Sequence, residues 1–195
     1  MIVAIVLSAG ESSRMGQPKA LLPIQGKIFL EKIVSALKET KVGEIIVVLG
    51  HDADEIKPKI SHLPVTVVVN KDYARGQLSS LTLALGILDP EKTEGALVHL
   101  VDHPFLNPAL VDEMIDRFYE SKKLIVVPRY RGRRGHPVIF SSRLFAELLG
   151  APPDQGAKAV VRAHRDETLE IATEDRGVIV DIDTPEEYRQ HVGRE

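Results

Sequence analysis

Short apolar runs alternate with longer stretches of mixed polarity along most of this chain. The runs are rich in Val, Ile and Leu and lie at 2–7, 44–49, 65–69, 96–101 and 124–127. Nearly continuous apolar runs are typical of strands that are buried on both faces, as in parallel sheets. Their separation by helix-length segments predicts an α/β fold with a mostly parallel central sheet and helices on its faces.

Two of the intervening segments carry a clear helical stripe. Apolar residues recur at helical spacing over 29–37 and 110–118, which predicts helices that face the core. Asn107 and Pro108 are typical cap and first-turn residues for the second of these helices. A third helix is predicted to begin near Ser79, where its free N–H groups would face a ligand.

The pattern changes after Pro128, where a basic, glycine-rich turn interrupts the alternation. The elements predicted beyond it are a strand at 138–140, helices at 144–149 and 157–164, a final strand at 178–181 and a terminal helix that begins at Thr184-Pro185. We therefore predict one domain over 1–195, with one half at 1–104 and a second half at 105–195.

Composition narrows the class of protein. The chain has 195 residues, 44% hydrophobic and 27% charged, which fits one compact domain. A net charge of −3 gives no basic field for nucleic acid or an anionic membrane. The absence of cysteine excludes disulfides, thiolate metal ligands and a cysteine nucleophile. No apolar run reaches the roughly 18 residues of a transmembrane helix, and no leader-like segment is recognisable, so we expect a cytoplasmic protein.

The loop at 8–19 (SAGESSRMGQPK) has the composition of a phosphate cradle. Gly10 and Gly16 permit positive φ and let backbone N–H groups approach an anion, while Arg14 and Lys19 supply positive charge. Two residues separate Gly16 from Lys19, so the loop is neither a Walker A sequence nor a dinucleotide fingerprint. The loop predicts a site for a nucleotide triphosphate.

Two carboxylates are candidates for the metal that such a substrate requires. Asp102 directly follows the apolar run at 96–101, at the edge where ligands of open α/β sheets bind. Asp183 follows the predicted final strand. Each also has an ordinary structural explanation, because Asp102 could cap a turn and Asp183 could cap the terminal helix. Thr184 could instead be that cap, and Asp181 is a weaker substitute for Asp183.

The first loop matches the signature L-x-A-G-x-S-x-R-M-G-x-x-K. The matching residues are Leu7, Ala9, Gly10, Ser12, Arg14, Met15, Gly16 and Lys19. This pattern resembles the nucleotidyltransferases of molybdenum cofactor maturation, and most closely the molybdenum cofactor cytidylyltransferases. Related guanylyltransferases tend to carry Gly-Gly where this chain has Ala9-Gly10, which favours cytosine. The resemblance implies a Rossmann-like three-layer sandwich of the nucleotide-diphospho-sugar transferase type.

The resemblance also implies roles for individual residues. Lys19 and Arg14 would stabilise phosphate charge, and Asp102 and Asp183 would be catalytic and bind Mg²⁺. The residues implied to bind substrates are Leu7, Ser8, Ala9, Gly10, Ser12, Gly16, Asn70, Gly76, Ser79, Ser80 and, in a Gly-His-Pro segment near the pterin-binding half, His136. Relatives carry Asp-Gln-Pro where this chain has Asp102-His103-Pro104.

Some of these residues have structural alternatives. The segment from Asn70 to Ser80 could be a polar loop with a serine cap, and a lone histidine such as His136 is often structural. A basic cluster is a candidate grip for the acceptor phosphate or a solvated turn, and consists of Arg129, Arg131, Arg133 and Arg134. Five other histidines have no partner pattern and no predicted role, namely His51, His62, His99, His164 and His191.

The activity implied by the resemblance is magnesium-dependent transfer of CMP from CTP to molybdenum-bound molybdopterin, which gives the cytosine dinucleotide cofactor and pyrophosphate. The implied partners are CTP, a molybdopterin-type acceptor and a molybdenum hydroxylase or its chaperone. Alternatives are transfer with GTP or a sugar 1-phosphate, or a non-catalytic nucleotide-binding cofactor chaperone. The presence of Lys19, Asp102 and Asp183 together argues against a purely binding role.

Overall fold

The computed structural model describes residues 1–193, which form a mixed α/β domain. Its strands are β1 (Ile2–Ser8), β2 (Pro23–Ile24), β3 (Lys27–Ile28), β4 (Glu44–Leu49), β5 (Thr66–Val69), β6 (Gly95–Leu100), β7 (Ile125–Tyr130), β8 (Arg133–Arg134), β9 (Val138–Ser141) and β10 (Thr168–Ala172). Its helices are α1 (Phe29–Lys38), α2 (Ala53–Lys59), α3 (Gln77–Leu85), α4 (Pro108–Ser121), α5 (Phe145–Leu149), α6 (Ala157–Ala163) and α7 (Pro185–His191). None of the helices in this part of the chain is long and apolar enough to cross a membrane.

The central sheet has the strand order β10-β7-β9-β6-β1-β4-β5, with β8 paired to β7. Strands β5, β4, β1 and β6 are parallel, β10 is parallel to β7, and β9 runs antiparallel between β6 and β7. The prediction of a mostly parallel sheet is confirmed. The chain leaves β1 toward β4 and β5 and then returns to β6 on the other side, so the strand order reverses between β1 and β6. A crevice at such a switch point is where α/β sheets bind ligands.

Strand β1 lies at the centre of the domain and is buried along its whole length. Alternate residues point to opposite faces, so Ile2, Ala4 and Val6 join one core and Val3, Ile5 and Leu7 join the other. Helices α1, α2 and α4 cover the first face, and α3, α5 and α6 cover the second. This arrangement explains the continuous apolar run and confirms the three-layer sandwich.

The predicted final strand at 178–181 is wrong. Residues Arg176–Ile179 form a 3-10 turn, which starts where the Asp175 carboxylate accepts the N–H of Gly177 at 2.7 Å. The apolar residues that suggested a strand, Val178 and Val180, are buried against the domain without joining the sheet. Alternating apolar residues indicate burial of their side chains. Here Val178 and Val180 are buried by packing against the domain and not by pairing in the sheet.

The sequence patterns also did not predict β10, the short β2–β3 hairpin, β8 and α2. Strand β10 pairs with β7 at the edge of the sheet, and only Ile171 in it is fully buried. An edge strand with a partly polar composition gives a weak apolar signal. Helix α2 contains Pro58 near its end and buries only Ala53 and Ile56, so its stripe is too short to recognise.

Candidate active site

A cavity of about 220 Å³ opens at the carboxyl edge of the parallel strands. Its walls come from the segments that follow β1, β4, β5 and β6, which the parallel topology brings to one edge. The predicted residues that line it are Leu7, Ser8, Ala9, Gly10, Ser12, Lys19, Gly76, Ser80 and Asp102. Residues from both sides of the strand-order reversal therefore share one cavity.

The loop after β1 is shaped largely by its own hydrogen bonds. The carbonyl of Ser12 accepts the N–H groups of Met15 at 2.9 Å and Gly16 at 3.0 Å, and its hydroxyl accepts the N–H of Lys19 at 3.2 Å. Gly16 has a φ of 75°, but the second residue with positive φ is Ser12, at 50°, and not Gly10. Gly10 contributes space, because a Cβ there would meet no atom within 4 Å.

The four residues predicted to be catalytic meet at the mouth of this loop. The Lys19 ammonium donates a hydrogen bond to Asp183 Oδ1 and lies 3.5 Å from Asp102 Oδ2. The Arg14 guanidinium donates to Asp183 Oδ2 at 2.6 Å. The side chain of Lys19 is only 11% exposed, whereas that of Arg14 is 68% exposed. Two carboxylates and two cations are thus grouped at one end of the cavity.

The electrostatics of this group hold Asp183 in its ionised form. Burial opposes the charge on Asp183, but the hydrogen bonds and positive charges of Lys19 and Arg14 outweigh it, so the pKa of this carboxyl lies below its usual range. An ionised carboxylate at neutral pH is what cation binding requires.

The segment before α7 brings Asp183 to this place. The N–H of Ile182 donates to the carbonyl of Asp102 at 2.8 Å, which ties the two segments together beside the cavity. Thr184 caps α7 by accepting the N–H of Glu187, and the Glu187 carboxylate accepts the N–H groups of Asp183 and Thr184. Because Thr184 is the cap, the Asp183 carboxylate is left to face Lys19.

The residues present fit a magnesium ion. Asp102 Oδ1 is buried and has no hydrogen-bond partner in residues 1–193, so one hard oxygen donor is unsatisfied beside a second carboxylate. The same part of the chain contains no group of three or more His, Cys, Asp or Glu that could hold a metal by itself. Mg²⁺ at nucleotide sites is usually bound by one or two carboxylates and completes its shell with phosphate oxygens and water.

The second wall of the cavity is the start of α3. Gly76, with a φ of 95°, and Ser80 line the cavity. Asn70 is 4% exposed and lies behind this wall, where its amide donates to Ser79 Oγ at 2.8 Å and Ser80 Oγ at 2.9 Å. Asn70 and Ser79 therefore hold α3 against the end of β5, while Gly76 and Ser80 face the cavity.

Asp52 and Tyr73 are polar residues of the cavity for which the sequence patterns indicated no individual role. The Asp52 carboxylate lies 2.7 Å from Nδ1 of His51, whose ring packs edge-on against Tyr73 at a centroid distance of 5.6 Å. Both cavity residues follow parallel strands, β4 and β5. The rule that placed Asp102 at the carboxyl edge would have found them had it been applied to every strand.

Three histidines lie near one another beside Asp102, and Nε2 of His103 is 3.8 Å from Asp102 Oδ1. His99 is on β6, His103 follows Asp102, and His136 precedes the cis peptide bond to Pro137. Ring centroids are 6.3 Å apart for His99 and His103 and 4.9 Å apart for His103 and His136. Burial and the neighbouring His103 lower the pKa of His136 to about 4. His99, for which the sequence predicted no role, makes a buried hydrogen bond through its ring.

The basic cluster is divided by the structure. Arg129 and Arg134 both pair with Glu170, at 3.2 and 2.7 Å, so they tie β7 and β8 to β10. Arg131 lies over the ring of Tyr130 at 5.2 Å. Arg133 is exposed on β8.

A mostly parallel three-layer fold, a glycine-containing loop at the strand-order reversal and a paired-carboxylate site define the class of nucleotidyltransferases. The family model described as the MobA-like NTP transferase domain matches residues 4–168. The chain belongs to this family, and the resemblance found in the first loop is confirmed.

The similarity to two named relatives extends over nearly the whole chain. The molybdenum cofactor cytidylyltransferase of Escherichia coli K12 is 28% identical over 194 residues, which cover 96% of this chain and 93% of the relative. Nicotine blue oxidoreductase of Paenarthrobacter nicotinovorans is also 28% identical, with coverages of 96% and 95%. Similarity at this level shows the family rather than the substrate.

Crystal structures of Rv0371c from Mycobacterium tuberculosis H37Rv have the same fold. One is 32% identical with a TM-score of 0.88 and covers 98% of this chain and 97% of its own. The other, a complex with manganese, is 29% identical with a TM-score of 0.84 and covers 100% and 99%. These matches confirm the fold of nucleotide-diphospho-sugar transferases.

Proposed function

We propose that this protein transfers CMP from CTP to the terminal phosphate of a molybdopterin-type acceptor and releases pyrophosphate. The observation that carries the proposal is the meeting of Arg14, Lys19, Asp102 and Asp183 at one end of the cavity. Residues 1–104 would bind the nucleotide, and residues 105–195 would bind the acceptor. The product would pass to a molybdenum hydroxylase or its chaperone in the cytoplasm.

In this reaction an oxygen of the acceptor phosphate attacks the α-phosphorus of CTP. The new phosphorus–oxygen bond forms as the bond to the β-phosphate oxygen breaks, and pyrophosphate leaves with the electron pair of that bond. Both substrates are anionic, so the protein contributes mainly position and positive charge. Asp102 and Asp183 would hold Mg²⁺, which would neutralise phosphate charge when bound.

Lys19 and Arg14 would change partners when substrates bind. In the structure both cations are hydrogen-bonded to Asp183. Phosphate oxygens are strong acceptors for ammonium and guanidinium groups. We expect the two side chains to turn from the carboxylates to the triphosphate, and to stabilise the charge that develops on the leaving pyrophosphate.

The base would lie between the first loop and the start of α3. Ala9 and Gly10 form one side of this space, and Asp52, Tyr73 and Ser80 add hydrogen-bonding groups. Buried polar groups that match one base edge discriminate strongly against another base, because the wrong base leaves them unpaired. The Ala9-Gly10 pair supports cytosine over guanine.

The test is a thermal-shift comparison of CTP, GTP, ATP and UTP, each with Mg²⁺, followed by pyrophosphate release with a molybdopterin acceptor. A ligand that binds the folded state raises the unfolding temperature, so CTP should give the largest rise. Asp102→Asn is the matched control and should release pyrophosphate about 10³-fold more slowly. A larger shift with GTP would replace the cytidylyl assignment with a guanylyl one. Nucleotide binding without pyrophosphate release for any acceptor would favour a non-catalytic carrier.

A further inference from the structure

The end of β6 is unusual because a histidine interrupts an otherwise apolar strand. His99 is 1% exposed and lies between Val98 and Leu100. Its Nδ1 atom has no hydrogen-bond partner among residues 1–193. A buried polar atom without a partner destabilises the folded state, and an aliphatic residue at this position would avoid that cost. The histidine therefore calls for an explanation other than core packing.

The other ring nitrogen of His99 supplies this explanation. Nε2 lies 2.8 Å from the carbonyl oxygen of His103, in a buried hydrogen bond. A carbonyl can only accept, so Nε2 carries the proton and donates. Burial and the nearby rings of His136 and His103 lower the pKa of His99 to about 3, which keeps the ring neutral.

This hydrogen bond closes the turn that carries Asp102. The N–H of His103 donates to the carbonyl of Leu100 at 3.1 Å, which forms a turn over 100–103. His99 ties the far end of that turn back to β6, and Ile182 ties the carbonyl of Asp102 to the segment that carries Asp183. The main chain of Asp102 is thus fixed from both sides.

We propose that His99 is a positioning residue, whose Nε2–H holds the 100–103 turn so that the Asp102 carboxylate stays beside that of Asp183. The proposal rests on the proposed function of the two carboxylates as a divalent-cation site. Groups that orient metal ligands typically change metal affinity or activity by about 10- to 100-fold when they are removed.

The experiment compares His99→Met with His99→Gln, two variants of similar size of which only the second keeps a donor. Mn²⁺ affinity is measured by electron paramagnetic resonance with CTP present, and kcat and KM for CTP are measured alongside. We expect His99→Met to bind Mn²⁺ about tenfold more weakly and to lose kcat with little change in KM. His99→Gln should lie near the unmodified protein. His164→Leu removes a histidine that pairs with Glu147 away from the cavity, and should change neither value.

A double variant tests whether His99 acts through Asp102. In the Asp102→Asn background, His99→Met should cause no further loss of Mn²⁺ affinity, because the ligand it positions is already absent. If His99→Met lowers Mn²⁺ affinity in the Asp102→Asn background as much as it does in the unmodified protein, the proposal is overturned. So would a His99→Met protein that only unfolds at lower temperature while Mn²⁺ affinity and kcat stay unchanged. If His99→Met does not fold, a folded His99→Gln that binds Mn²⁺ tenfold more weakly than the unmodified protein overturns it.

Failure of the proposed function would look different. A protein that transfers no nucleotide from any triphosphate, yet binds Mn²⁺ and loses that affinity in His99→Met, would retain the positioning role and reject the transferase activity.

Discussion

Two regions beside the site, apart from the start of α3, are built in different ways. The local wall, residues 8–19, holds its shape through hydrogen bonds among its own residues, centred on Ser12. The assembled wall, residues 102–103, 135–136 and 178–183, joins segments that are far apart in the chain. The N–H of Ile182 donates to the carbonyl of Asp102, and the N–H of His136 donates to that of Val178, both at 2.8 Å.

Because of this difference, substitutions in the local wall should change activity without changing stability, whereas substitutions in the assembled wall should change both. A substitution in the local wall changes a cation or a backbone donor while the remaining hydrogen bonds hold the loop in place. A substitution in the assembled wall disturbs contacts between distant segments, so the stability of the domain and the geometry of Asp102 and Asp183 should change together. The following predictions test that contrast, from the largest expected effect to the smallest.

The largest effect is expected at the two carboxylates of the assembled wall. Asp102→Asn and Asp183→Asn should each lower kcat by about 10³-fold, because each would remove a charged ligand of the proposed metal. The double variant should lose far less than the product of the two, since residues that act as one unit are not additive. Steady-state pyrophosphate release measures all three. Asp181→Asn, at the exposed neighbouring carboxylate, is the control, and a comparable loss there would shift the second ligand to Asp181.

Lys19 belongs to the local wall but contacts both carboxylates of the other one. Lys19→Met should lower kcat by about 10²-fold through loss of charge stabilisation on the phosphates. It also leaves Asp102 and Asp183 without their shared cation, so the unfolding temperature should fall without divalent metal and recover when Mg²⁺ is added. Differential scanning calorimetry with and without Mg²⁺ makes this measurement.

The control for Lys19 is Lys27→Met, because exposed Lys27 donates to Ser35 Oγ at 3.0 Å and does not line the cavity. That variant should change neither kcat nor the response to Mg²⁺. Unchanged pyrophosphate release in Lys19→Met would remove Lys19 from the chemistry.

Alanine substitutions at two glycines, one in each wall, compare how the two walls affect stability. A Cβ at Gly135 would lie 2.1 Å from the carbonyl oxygen of Val178, so Gly135→Ala should destabilise the domain by about 1–3 kcal/mol through overpacking. A Cβ at Gly10 would meet nothing within 4 Å, so Gly10→Ala should leave stability unchanged and weaken nucleotide binding. Urea unfolding and CTP titration give the two quantities. Equal loss of stability in both variants would contradict the contrast between the walls.

The smallest effect is expected at the cap of α7. Thr184→Ala removes the hydroxyl that accepts the N–H of Glu187 at 3.2 Å, and should cost about 1 kcal/mol of stability. Because the same segment carries Asp183, kcat should fall slightly as well. Thr184→Ser keeps the hydroxyl and should restore both values. An unchanged urea midpoint in Thr184→Ala would show that the Glu187 carboxylate alone holds the segment.

The sequence predicted the elements whose residues form a recognisable pattern within one short segment. Strand β1 was recognisable because a strand buried on both faces must be apolar throughout, and α4 was recognisable from its stripe and its Asn107 cap. The first loop was recognisable because its glycine, hydroxyl and cationic residues are contiguous. The prediction of a strand at 178–181 was wrong, because an apolar run indicates that residues are buried but not which element they pack against.

The sequence by itself determined the class of fold and identified the loop at 8–19, Asp102 and Asp183 as candidates, because each follows from residue types in short contiguous segments. Only the tertiary structure decided which distant groups meet. It placed Lys19 between Asp102 and Asp183, added Asp52 and Tyr73 to the cavity, and gave His99 a carbonyl to bind. The physical reason is that sheet order and long-range hydrogen bonds fix distances between segments, and no local pattern encodes those distances.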